Sequence, residues 1–181
     1  MSPPARRGRA LGRVLIAEET LGARVRELGQ AIARDYEGAN PVLVGVLKGA
    51  VIFMVDLVRA LPIELTTDFI GVSSYGGGTR SSGRVTLTCD LSIPVAGRDV
   101  LLVEDVVDTG RTVSYLKRSV EARHPKSVRV CALLDKAERR EVEVAIDYLG
   151  FAIPNVFVVG YGLDHAGVYR DLPYIAVLDE A

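Results

Sequence analysis

The sequence has few of the residues from which disulfide frameworks and metal centres are built. Its 181 residues include two cysteines, two histidines and no tryptophan. Cys89 and Cys131 are too few and too far apart for a disulfide framework or a thiolate zinc site. Both lie in apolar, strand-like runs, which predict two buried, reduced thiols. His124 and His165 do not suffice for a histidine-rich metal centre.

An excess of charge of one sign is also lacking. The formal net charge is −1, so the chain as a whole does not attract nucleic acid or an anionic membrane. We therefore expect small-molecule substrates, with neither nucleic acid nor membrane as a partner. Any recognition of a phosphate group must then depend on local structure.

No uninterrupted hydrophobic run is long enough to span a membrane. The most apolar stretch, residues 42–61, is interrupted by Lys48, Asp56 and Arg59, and we interpret it as strand, loop and helix. Residues 1–13 are rich in arginine and contain no acid, but they have neither the serine content nor the amphipathic length of a transit peptide. We expect a disordered tail there, a single domain over residues 14–181, and a cytoplasmic protein.

Strand-like and helix-like segments alternate along the chain. This alternation predicts an α/β fold with a doubly wound, mainly parallel sheet flanked by helices. The predicted helices cover residues 18–36, 51–61 and 112–123, and the predicted strands cover 42–47, 63–72, 85–89, 100–103, 128–134, 156–159 and 175–178. Residues 73–83 contain four glycines and no aliphatic residue, which predicts a mobile loop.

Two carboxylates follow the most apolar of these strands. Residues 100–103 form a continuous apolar run, typical of a strand buried on both faces of a parallel sheet. Glu104 and Asp105 come directly after it, and open α/β sheets bind ligands at the carboxyl ends of their strands. Acidic side chains at that position suit sugar hydroxyls or a hydrated Mg²⁺.

The turn that comes next has the composition of a phosphate site. Asp108, Thr109 and Gly110 lead into a predicted helix, whose first backbone N–H groups point toward one place. Thr109 and Thr112 add hydroxyl donors, and Gly110 permits a close approach, so a phosphate monoester would fit. A simple capped helix start is the alternative. It would explain Asp108 and Thr109, but not the two carboxylates before them.

Residues 103–112 resemble the phosphoribosyl-pyrophosphate signature of the type I phosphoribosyltransferases. Four other segments resemble the hypoxanthine-guanine branch of that family, namely residues 47–49, 73–75, 134–136 and 158–171. They occur in the family's order, and the resemblance extends from about residue 14 to residue 178. It implies a small hood formed by the terminal segments. It also implies transfer of the 5-phosphoribosyl group to N9 of hypoxanthine or guanine, which gives IMP or GMP and releases pyrophosphate.

The resemblance implies a role for each residue of the donor site. Glu104 and Asp105 would bind the ribose and a metal ion. Pyrophosphate would be bound by one arginine and by a loop that contains a cis peptide in relatives. The 5′-phosphate site would consist of Asp108, Thr109, Gly110, Arg111 and Thr112, and the pyrophosphate site of Leu47, Lys48, Gly49 and Arg170. By residue type alone, an ordinary strand-to-helix turn with a solvated lysine is the alternative for Lys48, and Arg111 could face solvent.

The resemblance also implies an acceptor site for the purine. Lys136 would donate to the exocyclic oxygen of a 6-oxopurine, a role suited to an ammonium group, which only donates. Phe157 would stack on the purine, Val158 would contact it through its backbone, and Asp164 would complete the site. Asp108 would remove the proton from N7 as general base. Without the resemblance, Lys136 would be read as a solvated lysine, Phe157 as a core residue and Asp164 as a turn residue, and His165 is expected to be a solvated loop residue.

Magnesium, a lid and an oligomer belong to the same implied picture. Two Mg²⁺ ions are expected, one entering with phosphoribosyl pyrophosphate, and their protein ligands would be Glu104, Asp105 and Asp164. Ser74 and Tyr75 on the glycine-rich loop would close over the site and exclude water. A homodimer or homotetramer is expected, with the apolar helix at residues 51–61 as a candidate contact surface.

Two other functions fit parts of the sequence. A phosphoribosyltransferase with another base preference, such as xanthine or adenine, would keep the same donor site. Lys136 argues against adenine, because a 6-amino group cannot accept its proton. A regulator that uses this fold to bind RNA or DNA is the second alternative. Asp108 and the lid residues favour catalysis over that role, and the near-neutral charge offers no evident nucleic-acid surface.

Overall fold

The computed structural model describes residues 11–74 and 85–178. In chain order, the elements are β1 (Leu11–Ile16), α1 (Glu18–Asp35), β2 (Val42–Leu47), α2 (Val51–Arg59), β3 (Thr66–Ser74), β4 (Val85–Cys89), β5 (Asp99–Val107), α3 (Arg111–Glu121), β6 (Ser127–Asp135), a short 3-10 helix (Ala137–Arg139), β7 (Tyr148–Ala152), β8 (Val158–Val159) and β9 (Ile175–Leu178).

The larger sheet has six strands in the order β4-β3-β2-β5-β6-β7. The pairs from β3 through β7 are parallel, and only β4 runs antiparallel, at the edge beside β3. Helices α2 and α3 form the crossovers from β2 to β3 and from β5 to β6. The prediction of a doubly wound, mainly parallel sheet is confirmed.

Helices cover both faces of this sheet. Alternate residues of a strand point to opposite faces, so Leu43, Leu101 and Leu133 pack under α1 and α2, while Leu102 and Ala132 pack under α3. All five are buried. Burial on both faces is the reason that β2, β5 and β6 appear in the sequence as continuous apolar runs rather than as alternating ones.

A second sheet is built from the two terminal parts of the described chain. Its order is β1-β9-β8, and β1 pairs with β9 in antiparallel fashion. Val158 and Ile175 join it to the core beneath α1 and α2. This sheet is the hood that the resemblance implied. Strand β1 already begins at Leu11, within the segment expected to be a tail, and residues 1–10 lie outside the described residues.

The two cysteines have different surroundings. Cys131 is buried in β6, and burial raises the pKa of its thiol. Cys89 is exposed, so the expectation that both thiols are buried was wrong for this residue. The reason is that β4 is an edge strand, with solvent on one side. Within residues 11–74 and 85–178, no helix is long and apolar enough to cross a membrane.

The parallel strands deliver three loops to one edge of the sheet. Strand β2 ends at Leu47, β5 at Val107 and β6 at Asp135. Because parallel strands end at the same edge, the residues that follow them lie beside one another, where α/β sheets bind ligands. Part of the hood reaches this edge, since Gly162 lies against the carbonyl of Gly49, just beyond the end of β2.

Candidate active site

Gly49 lies at the point where three parts of the chain meet. A Cβ atom built on Gly49 would overlap the carboxyl group of Asp105. A Cβ atom on Gly162 would in turn overlap the carbonyl oxygen of Gly49, and Gly162 has a φ of +100°. The peptide bond between Leu47 and Lys48, just before this point, is cis. The loop after β2 therefore contacts both the acids of β5 and the hood.

Glu104 and Asp105 form a buried pair of carboxyl groups. Burial raises the pKa of Glu104 well above its ordinary value, and the charge of Asp105 raises it further. Burial also raises the pKa of Asp105, although Asp105 Oδ1 accepts a hydrogen bond of 2.8 Å from the Val106 backbone N–H. Glu104 Oε2 is buried and has no hydrogen-bond partner among the described residues. Such an orphaned acceptor is costly unless a ligand completes it.

Arg170 connects the hood to these acids. Its Nη1 donates to the Gly162 carbonyl at 2.6 Å, and its Nη2 lies 2.6 Å from Asp164 Oδ1. Asp164 Oδ2 also accepts a hydrogen bond of 2.7 Å from the Gly167 N–H. Arg170 is close enough to Asp105 that its positive charge opposes the burial-driven rise in the pKa of that carboxyl. A guanidinium fork at this position suits a polyphosphate.

The turn between β5 and α3 surrounds a small cavity. Its volume is about 70 Å³, and its lining consists of Glu104, Val106, Val107, Asp108, Thr109, Gly110, Thr112 and Val113. Gly110 precedes α3 with a φ of 83°, in the left-handed region. Gly110, the N-cap residue, has no side chain with which to cap α3, and the Arg111 N–H makes only a long contact of 3.5 Å to the Thr109 hydroxyl oxygen. The start of α3 is therefore weakly capped, at a helix end that attracts anions.

Arg111 is directed away from this cavity. Both Arg111 Nε and Arg111 Nη2 lie 2.7 Å from Glu141 Oε2. The backbone N–H groups of Glu141 and Val142 each donate to the Thr109 carbonyl at 3.0 Å. The segment after β6 is thus fastened to the phosphate-type turn. Arg111 contributes to that fastening, and its guanidinium does not line the cavity.

A larger pocket opens between the end of β6 and the hood. Its volume is about 460 Å³, and it is lined by Lys136, Arg139, Asn155, Val156, Phe157, Val177 and Leu178. Lys136 is buried, with 7% of its surface exposed. Burial lowers the pKa of the Lys136 ammonium; the nearby Asp108 carboxylate opposes that shift and Arg139 adds to it. The pocket therefore contains a cation that little water can reach.

Phe157 lies across the pocket as an exposed aromatic ring. It is 48% exposed, so it is not a core residue, and its carbonyl accepts a hydrogen bond of 2.9 Å from the Leu178 N–H. The His165 ring meets it edge-on, at 90° and 5.5 Å between centroids, a favourable aromatic arrangement. His165, expected to be a solvated loop residue, therefore contacts the ring that covers the pocket. Val158 is buried in β8 and pairs with Val177.

Residues 15–166 match the family model of the phosphoribosyl transferase domain. The chain belongs to this phosphoribosyltransferase family. The match spans the loop after β2, both acids of β5, the turn before α3 and the part of the Lys136 pocket formed by residues 136–157, while Arg170, Val177 and Leu178 lie beyond it.

Among curated members of the family, similarity is high over nearly the whole chain. The hypoxanthine-guanine phosphoribosyltransferase of Lactococcus lactis is 49% identical, covering 94% of this chain and 92% of that protein. The bifunctional protein TilS/HprT of Listeria monocytogenes is 54% identical over 92% of this chain. This chain spans only 26% of that longer protein.

Solved structures of phosphoribosyltransferases have the same fold. A hypoxanthine-guanine phosphoribosyltransferase from Bacillus anthracis superposes with a TM-score of 0.90 at 44% identity, covering 94% of this chain and 100% of that one. The identification from sequence, a type I phosphoribosyltransferase that resembles the hypoxanthine-guanine branch, is confirmed.

The structure gathers most of the predicted phosphoribosyltransferase site residues into three neighbouring groups. Gly49, Asp105 and Arg170 lie around the meeting point of the loop, β5 and the hood, the turn at residues 108–112 surrounds its own cavity, and Lys136 shares a pocket with Phe157. Tyr75 and the side chain of Ser74 lie outside what the structure describes, so the lid stays a prediction.

Several residues of the phosphoribosyltransferase site were missed from sequence. The pocket also has Arg139, Asn155 and Leu178 in its wall. Arg139 follows Lys136 in a strongly charged stretch that reads as an exposed surface, and its 3-10 helix is too short to show a periodicity. Leu178 comes from the last described strand, whose place beside the pocket depends on long-range pairing with β1 and β8.

Proposed function

We propose that this phosphoribosyltransferase serves purine salvage as a cytoplasmic enzyme. It transfers the 5-phosphoribosyl group of phosphoribosyl pyrophosphate to N9 of hypoxanthine or guanine, which gives IMP or GMP and releases pyrophosphate. One observation carries the choice of acceptor. A buried lysine, Lys136, and an exposed aromatic ring, Phe157, share one pocket, and Lys136 lies near the Asp108 carboxylate.

The donor binds along the sheet edge. Its 5′-phosphate takes the cavity formed by residues 108–112, where N–H groups at the start of α3 and the hydroxyl groups of Thr109 and Thr112 supply donors. Its ribose hydroxyls meet Glu104 and Asp105. Its pyrophosphate lies along the backbone of the Gly49 loop, where Arg170 supplies a fork of donors.

The acceptor binds in the pocket with its 6-oxo edge toward Lys136. An ammonium group only donates hydrogen bonds, so it pairs with the oxygen of a 6-oxopurine and leaves the amino group of adenine unpaired. Phe157 stacks on the ring and shields the bond-forming centre from solvent. Asp108 accepts the proton of N7 as general base, which raises the electron density at N9 as N9 attacks the ribose C1.

The acids of β5 also fit a magnesium ion. Carboxylate oxygens are suitable ligands for Mg²⁺, which holds on to several waters and needs only one or two protein carboxylates when a substrate supplies phosphate oxygens. Glu104 Oε2 is an orphaned acceptor in the described structure. No set of three acidic, histidine or cysteine side chains within residues 11–74 and 85–178 gathers as a metal cage, which suits an ion held jointly with the donor.

When bound, the ion would neutralise negative charge that develops on the departing pyrophosphate. We assign Glu104 and Asp105 to the first ion and Asp164 to the second. Both oxygens of Asp164 have protein partners, Arg170 and the Gly167 N–H, so the second ion would have to compete with Arg170. Titration with Mn²⁺, followed by its paramagnetic signal in the Asp164→Asn variant, tests this assignment.

We also propose that the enzyme is a homodimer or homotetramer. Ile52 and Val55 on α2 are each 40% exposed, and they lie three positions apart on the same face of the helix. Apolar side chains at that spacing suit a contact between copies. Analytical ultracentrifugation of the wild type and of Val55→Glu tests this. The variant is expected to form an oligomer of lower mass than the wild type.

The activity itself is tested with a panel of purines. The wild-type protein is mixed with phosphoribosyl pyrophosphate, magnesium and one of hypoxanthine, guanine, xanthine or adenine, and both pyrophosphate and nucleotide are measured. We expect product with hypoxanthine and guanine. Product with adenine alone would overturn the assigned acceptor, and no product with any purine would overturn catalysis and favour a regulator that keeps the donor fold.

Lys136→Met tests the recognition of the 6-oxo group. The variant keeps an unbranched side chain of nearly the same length and removes the donor, and we expect kcat/KM for guanine to fall by about 100-fold. Lys117→Met on α3 is the matched control and should keep the wild-type value. An unchanged kcat/KM in Lys136→Met would show that another group recognises the oxygen.

A further inference from the structure

Two consecutive arginines after β6 both reach Asp108. The Arg139 Nε atom lies 2.9 Å from Asp108 Oδ1, and Arg140 Nη1 donates to the Asp108 carbonyl oxygen at 3.3 Å. Arg140 also pairs with Asp135, and both side chains of that pair are 13% exposed. Arg140 is therefore part of the packed structure. The Arg139 side chain is 46% exposed, so it is available for a role at the pocket.

The Arg139 contact involves the side chain that is the general base of the proposed reaction. Asp108 Oδ1 is buried, and in the described parts of the chain no group donates a hydrogen bond to it. Arg139 is close to that oxygen, but its N–H is not aligned for a hydrogen bond. The contact is therefore a charge attraction, which holds one carboxylate oxygen and leaves the other for a proton.

Arg139 also lies in the wall of the purine pocket, next to Lys136. The three charged groups thus form one set, with Asp108 between two cations. The like charge of Arg139 acts on Lys136 as well, and the charge of Asp108 opposes that effect. The charge of Arg139 therefore acts on both groups proposed to contact the purine, Lys136 at its 6-oxo group and Asp108 at N7.

We propose that Arg139 is a positioning residue for the acceptor half of the reaction. It holds the Asp108 carboxylate by Oδ1, so that the remaining oxygen faces N7 of the bound purine. This inference rests on the proposed function, because it presupposes that Asp108 is the base. Proton transfer is sensitive to such placement, since a displacement of about 1 Å can cost about 100-fold in rate.

The test compares Arg139→Gln with the wild type in steady-state kinetics with guanine. We expect kcat to fall by about 10-fold to 100-fold, while KM for phosphoribosyl pyrophosphate stays within about threefold, because the donor cavity does not include Arg139. Arg139→Lys keeps the charge with a different shape, and its kcat should lie between those of Arg139→Gln and the wild type. Glu138→Gln, an exposed neighbour on the same short helix, is the matched control and should keep wild-type kinetics.

A double-mutant cycle decides whether Arg139 acts through Asp108. In the Asp108→Asn background, Arg139→Gln should change the remaining kcat by less than about twofold, because residues that act as one unit do not add. Effects that multiply would overturn the proposal, and so would a wild-type kcat in Arg139→Gln. Melting temperatures confirm that each variant is folded, and Arg139→Lys carries the test if Arg139→Gln is not.

The two proposals fail in different ways. If the wild type forms no nucleotide from any purine, the proposed function is wrong. If the wild type is active and Asp108→Asn is impaired while Arg139→Gln is normal, only the positioning role is wrong.

Discussion

Gly49 has protein atoms on two sides. The Asp105 carboxyl group occupies the position that a Cβ would take, and Gly162 lies against the Gly49 carbonyl. Any side chain at this position must displace the Asp105 carboxyl group. The glycine is therefore required by close approach, and it leaves the backbone open to the donor.

We expect Gly49→Ala to raise KM for phosphoribosyl pyrophosphate by at least about tenfold, equivalent to about 1.4 kcal/mol of binding. Gly22→Ala on α1 is the matched control, since a Cβ there meets nothing closer than 3.4 Å, the Arg26 Nη1 atom. That control should bind the donor normally and be as stable as the wild type, or up to about 1 kcal/mol more stable. Equal donor KM values in the two variants would contradict the crowding at Gly49.

Residue chemistry alone left Lys136 and Phe157 ambiguous. Each residue type is found more often in another role, the lysine in solvent and the phenylalanine in a core. The structure reverses both expectations, because Lys136 is buried and Phe157 is exposed. Only the neighbours brought by folding decide such cases, and for these two residues the family resemblance substituted for that knowledge.

At the scale of elements, two kinds of ion pair hold the segment after β6, one to the end of β6 and one to the start of α3. The pair between Arg140 and Asp135 is buried, at 13% exposure for each side chain. The pair between Arg111 and Glu141 is half exposed, at 50% for each. Solvent screens the second pair and hardly reaches the first.

We therefore expect Arg140→Met to cost about 3 to 5 kcal/mol of unfolding free energy, because it leaves Asp135 buried without its partner. Arg111→Met makes the same chemical change at the exposed pair and should cost at most about 1 kcal/mol. Urea unfolding of both variants measures the difference. Similar losses would mean that burial does not separate the two pairs.

The first and last residues of a strand were predictable where the composition of that strand alone determines them. Strands β2, β4 and β9 have the predicted bounds. Strand β5 was predicted to end before its two acids, yet it continues to Val107, because β6 runs beside it and pairs Val106 with Leu134. Pairing with a neighbour can thus keep polar residues inside a strand.

Two strands were not predicted, and both depend on distant partners. Strand β1 is short and is held by β9 from the other end of the chain. Strand β7 has a glycine in its middle, and a Cβ on that residue, Gly150, would overlap the Leu133 carbonyl. Such contacts between remote segments leave no local pattern in the sequence.

At the scale of the whole molecule, the buried acids make the protein less stable than the same fold would be without them. Because burial raises the pKa of Glu104 well above its ordinary value, ionisation of this group opposes folding. Its contribution to stability is most favourable below the ordinary carboxyl pKa and is lost as the pH rises through the raised pKa. Active sites commonly retain such unfavourable groups for function.

Glu104→Gln should therefore unfold at higher denaturant than the wild type at about pH 8, by on the order of 1 kcal/mol, and the gain should shrink toward about pH 4. Its activity should fall, because the proposed ribose and metal site would lose a carboxylate. Glu121→Gln, an exposed change on α3, should stay within about 0.5 kcal/mol of the wild type. A Glu104→Gln variant that is no more stable at alkaline pH would contradict the cost of burying this acid.

The last described strand has a practical consequence for anyone who joins this enzyme to another protein. Leu178 lines the pocket that contains Lys136, and its N–H donates a hydrogen bond to the Phe157 carbonyl. A partner joined after Ala181 would be separated from Leu178 by three residues, and any pull it exerts would reach the wall of that pocket. A partner joined before Met1 is separated from β1 by ten residues, and β1 is not in the wall of that pocket. Reporter and immobilisation tags are better placed at that end.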